Sequence, residues 1–406
     1  LSPVHVLPDK KFTVAASDDS STLAIDTDGN IWSWGNNCCG QRGDGTGEEY
    51  FVPFKTTNNG GISSIAVAGG RAFKMDSNGK LWAVGSNGGC FGNGDNKMQT
   101  TFVPTCEDIR FKQIYAGSSY TLAIDIDGNL WAWGSNGNGK LGTGDKERKS
   151  TPVQITNGTK FVQAETGSSS SFAIDEDGNL WSWGMCLDSQ FFDDYAEEKL
   201  VPTKITTEQK FVKLVSTGLG IYLIDTDGYL WIRGSGYLSI EASKDKTFQK
   251  VSEEVKFVDV STSILHTVAI DTDGNIWEWG ARYNSMSVDG TYTVDRQPIK
   301  VTSGTRFISV SCGYYHSLAI DEYGNIWAWG DNEFGKLGDG TMRNSDRPLQ
   351  ITNNNKFVCA VVAGSFSMAL DENGDLYCWG LNVSGVFANG ISDWGYGLSP
   401  TIITLE

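Results

Sequence analysis

Residues Ser171 to Gly184 read SFAIDEDGNLWSWG. In SFAID, apolar residues alternate with small or polar ones, the period-two pattern of a pleated strand. In NLWSWG, Trp181 and Trp183 stand two apart and point to the same face. Between the two runs lies Asp-Gly-Asn, a hairpin signal in which Gly178 supplies a positive φ and Asp and Asn tolerate the turn. Upstream come FVQAETG (Phe161 to Gly167) and PVQIT (Pro152 to Thr156). A strand led by proline belongs at a sheet edge, because proline cannot donate to a ladder. The unit therefore reads as a four-stranded antiparallel sheet.

Close copies of this unit recur along the chain. Their first aromatics are Trp32, Trp82, Trp131, Trp181, Trp231, Trp277, Trp327 and Tyr377, spaced 50, 49, 50, 50, 46, 50 and 50 residues apart. One sheet cannot bury both faces alone, so neighbours must stack on it. Four-stranded units of 40 to 50 residues fit the blades of a β-propeller. The fold expected is all-β, one propeller domain over residues 1–406, with eight blades and seven as the alternative. Ala24, Ala123, Ala173, Ala269, Ala319 and Ala369 would suit the crowded inner end of each blade. The tryptophans would fill the wider spaces between blades, where each large ring buries roughly 150–250 Å², or on the order of 4–6 kcal/mol.

There are eight hairpin cores but nine proline-led strands, because both SPVHVL (Ser2 to Leu7) and SPTIITLE (Ser399 to Glu406) qualify. Only one can complete the last blade, and the N-terminal one is expected to do so. Repeat 5 is the most degenerate, with Arg233 where other copies carry tryptophan. Repeat 2 has Val84 there.

The net charge is −17. Much of it lies in the hairpin turns, among them Asp26, Asp28, Asp125, Asp127, Asp175, Glu176 and Asp177. Such a surface argues against nonspecific nucleic-acid binding, which needs clustered Lys and Arg, and suits solubility or a basic protein partner. The eight cysteines include no C-x-x-C pair and match neither zinc nor haem spacings. Cys312 and Cys359 fall on strands and read as small core hydrophobes. Adjacent Cys38 and Cys39 allow a strained vicinal disulfide. There is no transmembrane run and no signal peptide. The start at Leu1 rather than Met is consistent with a removed upstream segment.

The pattern G-x-x-H-S-L-A-I-D-x-x-G-N-I-W-A-W-G at Gly313 to Gly330, followed by DNEFGKLGDG, resembles the regulator of chromosome condensation repeat, and the likeness extends over essentially the whole chain. The wording is nearest to bacterial members, which gives a lean towards a bacterial secreted or cell-surface protein. The resemblance implies a β-propeller, typically seven-bladed, from which eight cores depart. The family includes a guanine-nucleotide exchange factor for a nuclear GTPase that also docks on nucleosomes, a plant ultraviolet photoreceptor and a bacterial inhibitor of β-lactamases. Protein binding through propeller faces is their common property, and fold alone does not select among these roles.

Catalytic chemistry finds little support. The histidines are His5, His266 and His316. The last two occupy the same place in their repeats, where a hydrogen bond to neighbouring backbone is expected. Tyr120, Ser170 and Phe366 replace them elsewhere, which a catalytic role repeated in every copy would not predict. GKLG at Gly139 to Gly142 lacks the Ser or Thr of a phosphate loop and sits among strands. The D-x-D-G turns read as hairpins rather than calcium loops, which need several converging carboxylates. The photoreceptor's Gly-Trp-Arg-His cluster is absent. No catalytic residue, metal site or cofactor is expected.

The segments after W-x-W-G vary most between copies. They carry Phe191, Phe192, Tyr195, Tyr237, Tyr283, Tyr292, Trp394 and Tyr396, and aromatics are favoured interface anchors. The expected function is a non-enzymatic scaffold that binds a protein through these loops on one face, without nucleic acid and without membrane insertion. The alternatives are an inhibitor of a secreted enzyme such as a β-lactamase, a carbohydrate-binding or enzymatic propeller, and a GTPase regulator.

Overall fold

The computed structural model describes the chain apart from residues 1–3, 8, 18–20, 49, 57–60, 157, 186–197, 218–219, 235–247, 264–265, 287–291, 303, 314, 352–354, 383–384, 386 and 388–406. At 4–5, 50–51, 234, 281–286, 292–294 and 296 it describes the backbone alone. The strands form eight four-stranded antiparallel sheets. The fold is a β-propeller of eight blades, so the larger of the two expected numbers holds.

Blade 4 illustrates the plan. Its strands are Phe161–Thr166, Ser170–Asp175, Leu180–Gly184 and Lys199–Lys204, in spatial order. The inner hairpin pairs Ala173 with Trp181 and Ser171 with Trp183. Ala173 is fully buried, and its small side chain stands directly across from the large ring of Trp181. The alanines are thus matched to the first tryptophan of their own blade.

The proline-led strand does not join the sheet expected for it: Lys149–Gln154 pairs with Leu130–Gly134 and completes blade 3, while blade 4 takes its outer strand from downstream, at Lys199–Lys204. Nor is the proline the first residue of its strand. Blade 3 pairs Ala132 with Val153 and then Gly134 with Lys149. The extra residues on the outer strand form a bulge that holds Pro152. A bulge on an edge strand is where a residue without an N–H is tolerated.

The chain divides into two compact units, residues 1–38, 48–61 and 257–406 in the first and 39–47 and 62–256 in the second. The first holds blades 1, 6, 7 and 8. Blade 8 is completed by Val4–Val6, which pairs with Leu376–Gly380 through His5 and Tyr377. The expected N-terminal closure is therefore present, and the competing strand at Pro400 to Thr404 lies outside the described residues. The second unit holds blades 2 to 5.

Within each unit, the tryptophan face of one blade packs on the blade before it. Trp181 and Trp183 join Leu122, Ile124, Leu130 and Leu141 of repeat 3. Trp327 and Trp329 join Val268, Ile270 and Ile276 of blade 6. Tyr377 and Trp379 join Leu318, Ile320 and Leu337 of repeat 7. The second aromatic of the pair is the more deeply buried one. Trp133, Trp183, Trp279 and Trp379 are at most 1% exposed, whereas Trp181 is half-buried and meets Phe161 edge-on at 5.8 Å. In blade 5, Arg233 takes the place of the second tryptophan and stacks on Phe248 at 5.4 Å.

Two glycines show why the motif needs them. Gly184 has φ +92, and a Cβ there would lie 2.5 Å from the Ser169 carbonyl. Gly142 has φ +75, and a Cβ would strike the Trp183 indole at 2.9 Å. In the second unit the glycine-rich loops hook onto the outer strand of the next blade. Gly94 N donates to Ser150 O at 2.9 Å, and Gly144 N donates to Leu200 O at 2.8 Å. These loops are clasps between blades.

Cysteine placement corrects one expectation. Cys38 and Cys39 are not joined by a disulfide. Cys312 is buried, but Cys359 is exposed. The pairing of its strand slips between Phe357 and Cys359, so the bulge turns both Val358 and Cys359 outward.

Candidate functional site

The polar residues that recur in every copy are committed to the framework. The carboxylate of Asp175 ends its strand and acts as a hub. Oδ1 accepts from the N–H of Asp177 at 3.1 Å and of Asn179 at 2.8 Å. Oδ2 accepts from Asn179 Nδ2 and from Trp181 Nε1, each at 2.8 Å. Asp26, Asp125 and Asp271 repeat the bond to Trp32, Trp131 and Trp277 at 2.8 Å. Burial alone would raise these pKa values, but the hydrogen bonds from Trp and Asn outweigh it and hold all four below the ordinary carboxylate value. A carboxylate so fully engaged is a turn-former. Among the described residues no group of three or more His, Cys, Asp or Glu is placed to hold a metal ion.

The histidine position spans from one blade to the next. His266 Nε2 lies 2.9 Å from Ser317 Oγ, and His316 Nε2 lies 2.9 Å from Ser367 Oγ. Tyr120 does the same work, with its hydroxyl 2.8 Å from Ser171 Oγ. Ser171 donates onward to Lys140 O at 2.7 Å, and Ser367 to Lys336 O at 2.9 Å. The expected bond to a neighbour exists, but its partner is a side-chain hydroxyl that relays to the loop backbone.

Repeat 2 breaks this pattern at two places that sequence reading passed over. Arg71 stands at the histidine position, and Lys74 stands where six of the other blades have alanine and blade 5 has Leu223. Lys74 is buried over Phe102 at 4.5 Å and Trp82 at 5.5 Å, and burial pushes its ammonium down to about 8. Glu165, in the first strand of blade 4, is pushed up to about 7 by burial, against a hydrogen bond from Gln163. Aligning the eight repeats column by column would have exposed both basic intruders.

The eight candidate contact residues are placed as follows. Phe191, Phe192, Tyr195, Tyr237, Trp394 and Tyr396 lie outside the described residues. Tyr283 belongs to the strand Ile276–Met286, and Tyr292 opens the strand Tyr292–Lys300. The two strands pair as far as Met286 with Tyr292. The segment after blade 6, read above as a loop, is therefore for most of its length an extension of the blade's outer hairpin. Residues 281–286 alternate too weakly in polarity to mark a strand in the sequence.

A second series was not anticipated. The first strand of each blade carries a bulge after its leading residue, an isoleucine in blade 2 and a phenylalanine in the others. There Val162 and Val212 in the second unit, and Val258, Ile308 and Val358 in the first, are 44–61% exposed. The pairing of Phe161 with Asp175 puts this position at the acidic-turn end of the sheet. The segments after W-x-W-G leave from the other end, where Ser170 pairs with Gly184.

Four-stranded blades clasped by glycine-rich loops, with an Asp–Asn–Trp turn in five of the eight, define a propeller of the regulator-of-chromosome-condensation class. Profiles of the Regulator of chromosome condensation (RCC1) repeat match residues 28–75, 127–174 and 323–370, and further matches to the same repeat cover 13–41, 111–140, 307–336 and 358–386. The chain belongs to the RCC1 repeat family. It is similar to the RCC1 domain-containing protein RUG3, mitochondrial, of Arabidopsis thaliana, with 28% identity over 33% of this chain and 32% of that protein. It is also similar to the Ultraviolet-B receptor UVR8 of Arabidopsis thaliana, with 30% identity over 32% of this chain and 31% of that protein. For the E3 ubiquitin-protein ligase HERC2 of Homo sapiens the figures are 26%, 31% and 3%. The chain thus spans about a third or less of these curated relatives. Among solved structures, yeast RCC1 (Prp20) bound to Kap60 superposes with a TM-score of 0.64 at 18% identity, over 93% of this chain and 92% of that one. Human WBSCR16 gives 0.62 at 17% identity, over 80% and 88%. These likenesses establish the fold.

Proposed function

We propose that this chain is a non-enzymatic protein-interaction scaffold. The observation that carries the reading is the commitment of the recurring Asp, His and Trp side chains to bonds within and between blades. What remains for recognition are the segments that differ between copies and the exposed aliphatic series. Solved structures of yeast RCC1 are described as bound to Kap60 and as binding Gsp1p and histones, so a propeller of this fold can serve as a docking platform. The proposed contacts are Phe191, Phe192, Tyr195, Tyr237, Tyr283, Tyr292, Trp394 and Tyr396, in segments leaving one end of the blades. The partner is a protein with basic character, because the net charge is −17.

The test is affinity capture with the purified chain, followed by titration of the captured protein. Tyr237→Ala with Tyr283→Ala weakens binding at least tenfold if the variable segments carry it. Val212→Lys does so instead if the acidic-turn end carries it. Unchanged affinity in both variants rejects the proposal. Family membership keeps GTPase regulation as a second reading, and accelerated nucleotide release from a GTPase would favour it. A nitrocefin assay with added protein separates out inhibition of a β-lactamase.

A further inference from the structure

The junction of blades 2, 3 and 4 concentrates positive charge without a carboxylate to balance it. Arg71 is 3% exposed and Lys140 is 7% exposed. The Arg71 guanidinium donates through Nη2 to Gly117 O, and its Nε is buried without a hydrogen-bond partner. Lys140 Nζ donates to Ser119 Oγ at 2.8 Å and to Ser168 O at 3.3 Å, and lies 4.9 Å from the centre of the Tyr120 ring. Cys90 Sγ donates to Ser119 O at 3.0 Å. Gly117 and Ser119, which accept from Arg71 and Lys140, are two residues apart, so the two cations meet at one turn; burial lowers the pKa of Lys140, with Cys90 opposing and the positive charge of Arg71 adding to the fall. Neither takes part in an ion pair among the described residues.

Repeat 7 shows how the same position is balanced from within. Lys336 occupies the place of Lys140, is 4% exposed, and forms a salt bridge with Asp331 of its own loop. The loops correspond in detail. Asp331 N donates to Tyr315 O at 2.8 Å, and Ser135 N donates to Ser119 O at 3.0 Å. Repeat 3 therefore has serine where repeat 7 has the counter-ion, and it has a second cation nearby. A buried charge is tolerated when it is paired. Two of them with a free N–H and hydroxyl and thiol groups around them form the lining of an anion site.

We propose that the junction of Arg71, Cys90, Ser119 and Lys140 binds a small monovalent inorganic anion of the halide class, which fills the electrostatic role that Asp331 fills in repeat 7. The near-complete burial of both cations restricts the ligand to a compact ion. The anion is structural, because it locks the second strands of blades 2 and 3 to the loop of repeat 3.

The experiment uses the full chain at constant ionic strength, with sodium gluconate exchanged stepwise for sodium chloride or bromide while thermal unfolding is followed. The expected result is a saturable rise in Tm of about 2–3 °C. Ser135→Asp, which installs the acid of repeat 7, should raise Tm in gluconate and remove the chloride response. Crystals grown with bromide should show an anomalous peak beside Arg71 Nε. The proposal is overturned by equal Tm in chloride and gluconate, by a linear response that Ser135→Asp leaves intact, or by bromide crystals without a peak at this junction. Should Ser135→Asp not fold, Lys140→Met must abolish the saturable response, and its persistence would overturn the proposal equally.

Discussion

His316 Nε2 lies 2.9 Å from Ser367 Oγ, across the boundary between blades 7 and 8. The hydroxyl spends its single proton on Lys336 O, so the bond from His316 has the imidazole as donor. The ring is neutral with its proton on Nε2. Burial holds its pKa well below 6.5, and the nearby Lys336 and His266 add to the shift.

Acid should therefore loosen this boundary. The folded pKa lies below the unfolded one, so the stabilisation is fully present above about pH 6.5 and is lost as pH falls below it. His316→Phe, which copies Phe366 at the same register of blade 8, should flatten the stability profile between pH 7.5 and 5. Urea unfolding at a series of pH values measures this, and parallel profiles for the two proteins would contradict it.

Asp175 should be irreplaceable by its amide. Asp175→Asn puts an NH₂ where one of two acceptor oxygens now meets two backbone N–H groups or the Trp181 indole. A loss of about 1–3 kcal/mol is expected from buried donors left unpaired. The carboxylate's pKa is depressed, so its stabilisation is present above pH 4 and disappears as pH falls through the folded value. Denaturant titration of the variant at pH 7 and pH 3 should show a gap that narrows with acid.

The two tryptophans of one blade should differ in weight. Trp183 is fully buried and donates from Nε1 to Lys140 O at 2.8 Å, whereas Trp181 keeps one edge in solvent. Trp183→Ala should lose about 3–5 kcal/mol and Trp181→Ala clearly less. Gly184→Ala should lose on the order of 1–3 kcal/mol through backbone strain and contact with Ser169 O. A Trp181→Ala variant less stable than Trp183→Ala would refute the assignment of the second indole as the main filler.

Lys74 should weaken the protein in a way that alkali relieves. Its ammonium titrates near 8 when folded and near 10.4 when unfolded. The depressed value means a penalty fully present below pH 8 that fades as pH rises towards the unfolded value. Between pH 8 and 10 the natural chain should gain stability relative to Lys74→Met. Calorimetry in that range, with matched ionic strength, reads the difference.

Trp181, Trp183 and the Asp-Gly-Asn turn make the blade legible in the linear chain, because period-two alternation and a strong turn survive in eight copies. Their regular spacing carries the blade number. Less is visible where one copy departs from the rest for a reason that lies in another copy. Arg71 and Lys140 are 69 residues apart along the chain, and nothing in either segment announces the other. The outward set of Val162, Val212, Val258, Ile308 and Val358 is hidden for a different reason. An aliphatic residue on a strand reads as core, and only the bulge reverses its direction.

The sequence by itself determined the four-stranded unit, its repetition and the partner-free logic of its turns, since these depend on contacts within a few dozen residues. Tertiary structure alone decided which charges face each other between blades, which indole is sealed, and that each blade takes its outer strand from the segment after its Trp-x-Trp-Gly strand. Those outcomes depend on distances between segments remote in the chain. Burial then sets their energy, because a charge or N–H removed from water depends on whatever group the fold places beside it.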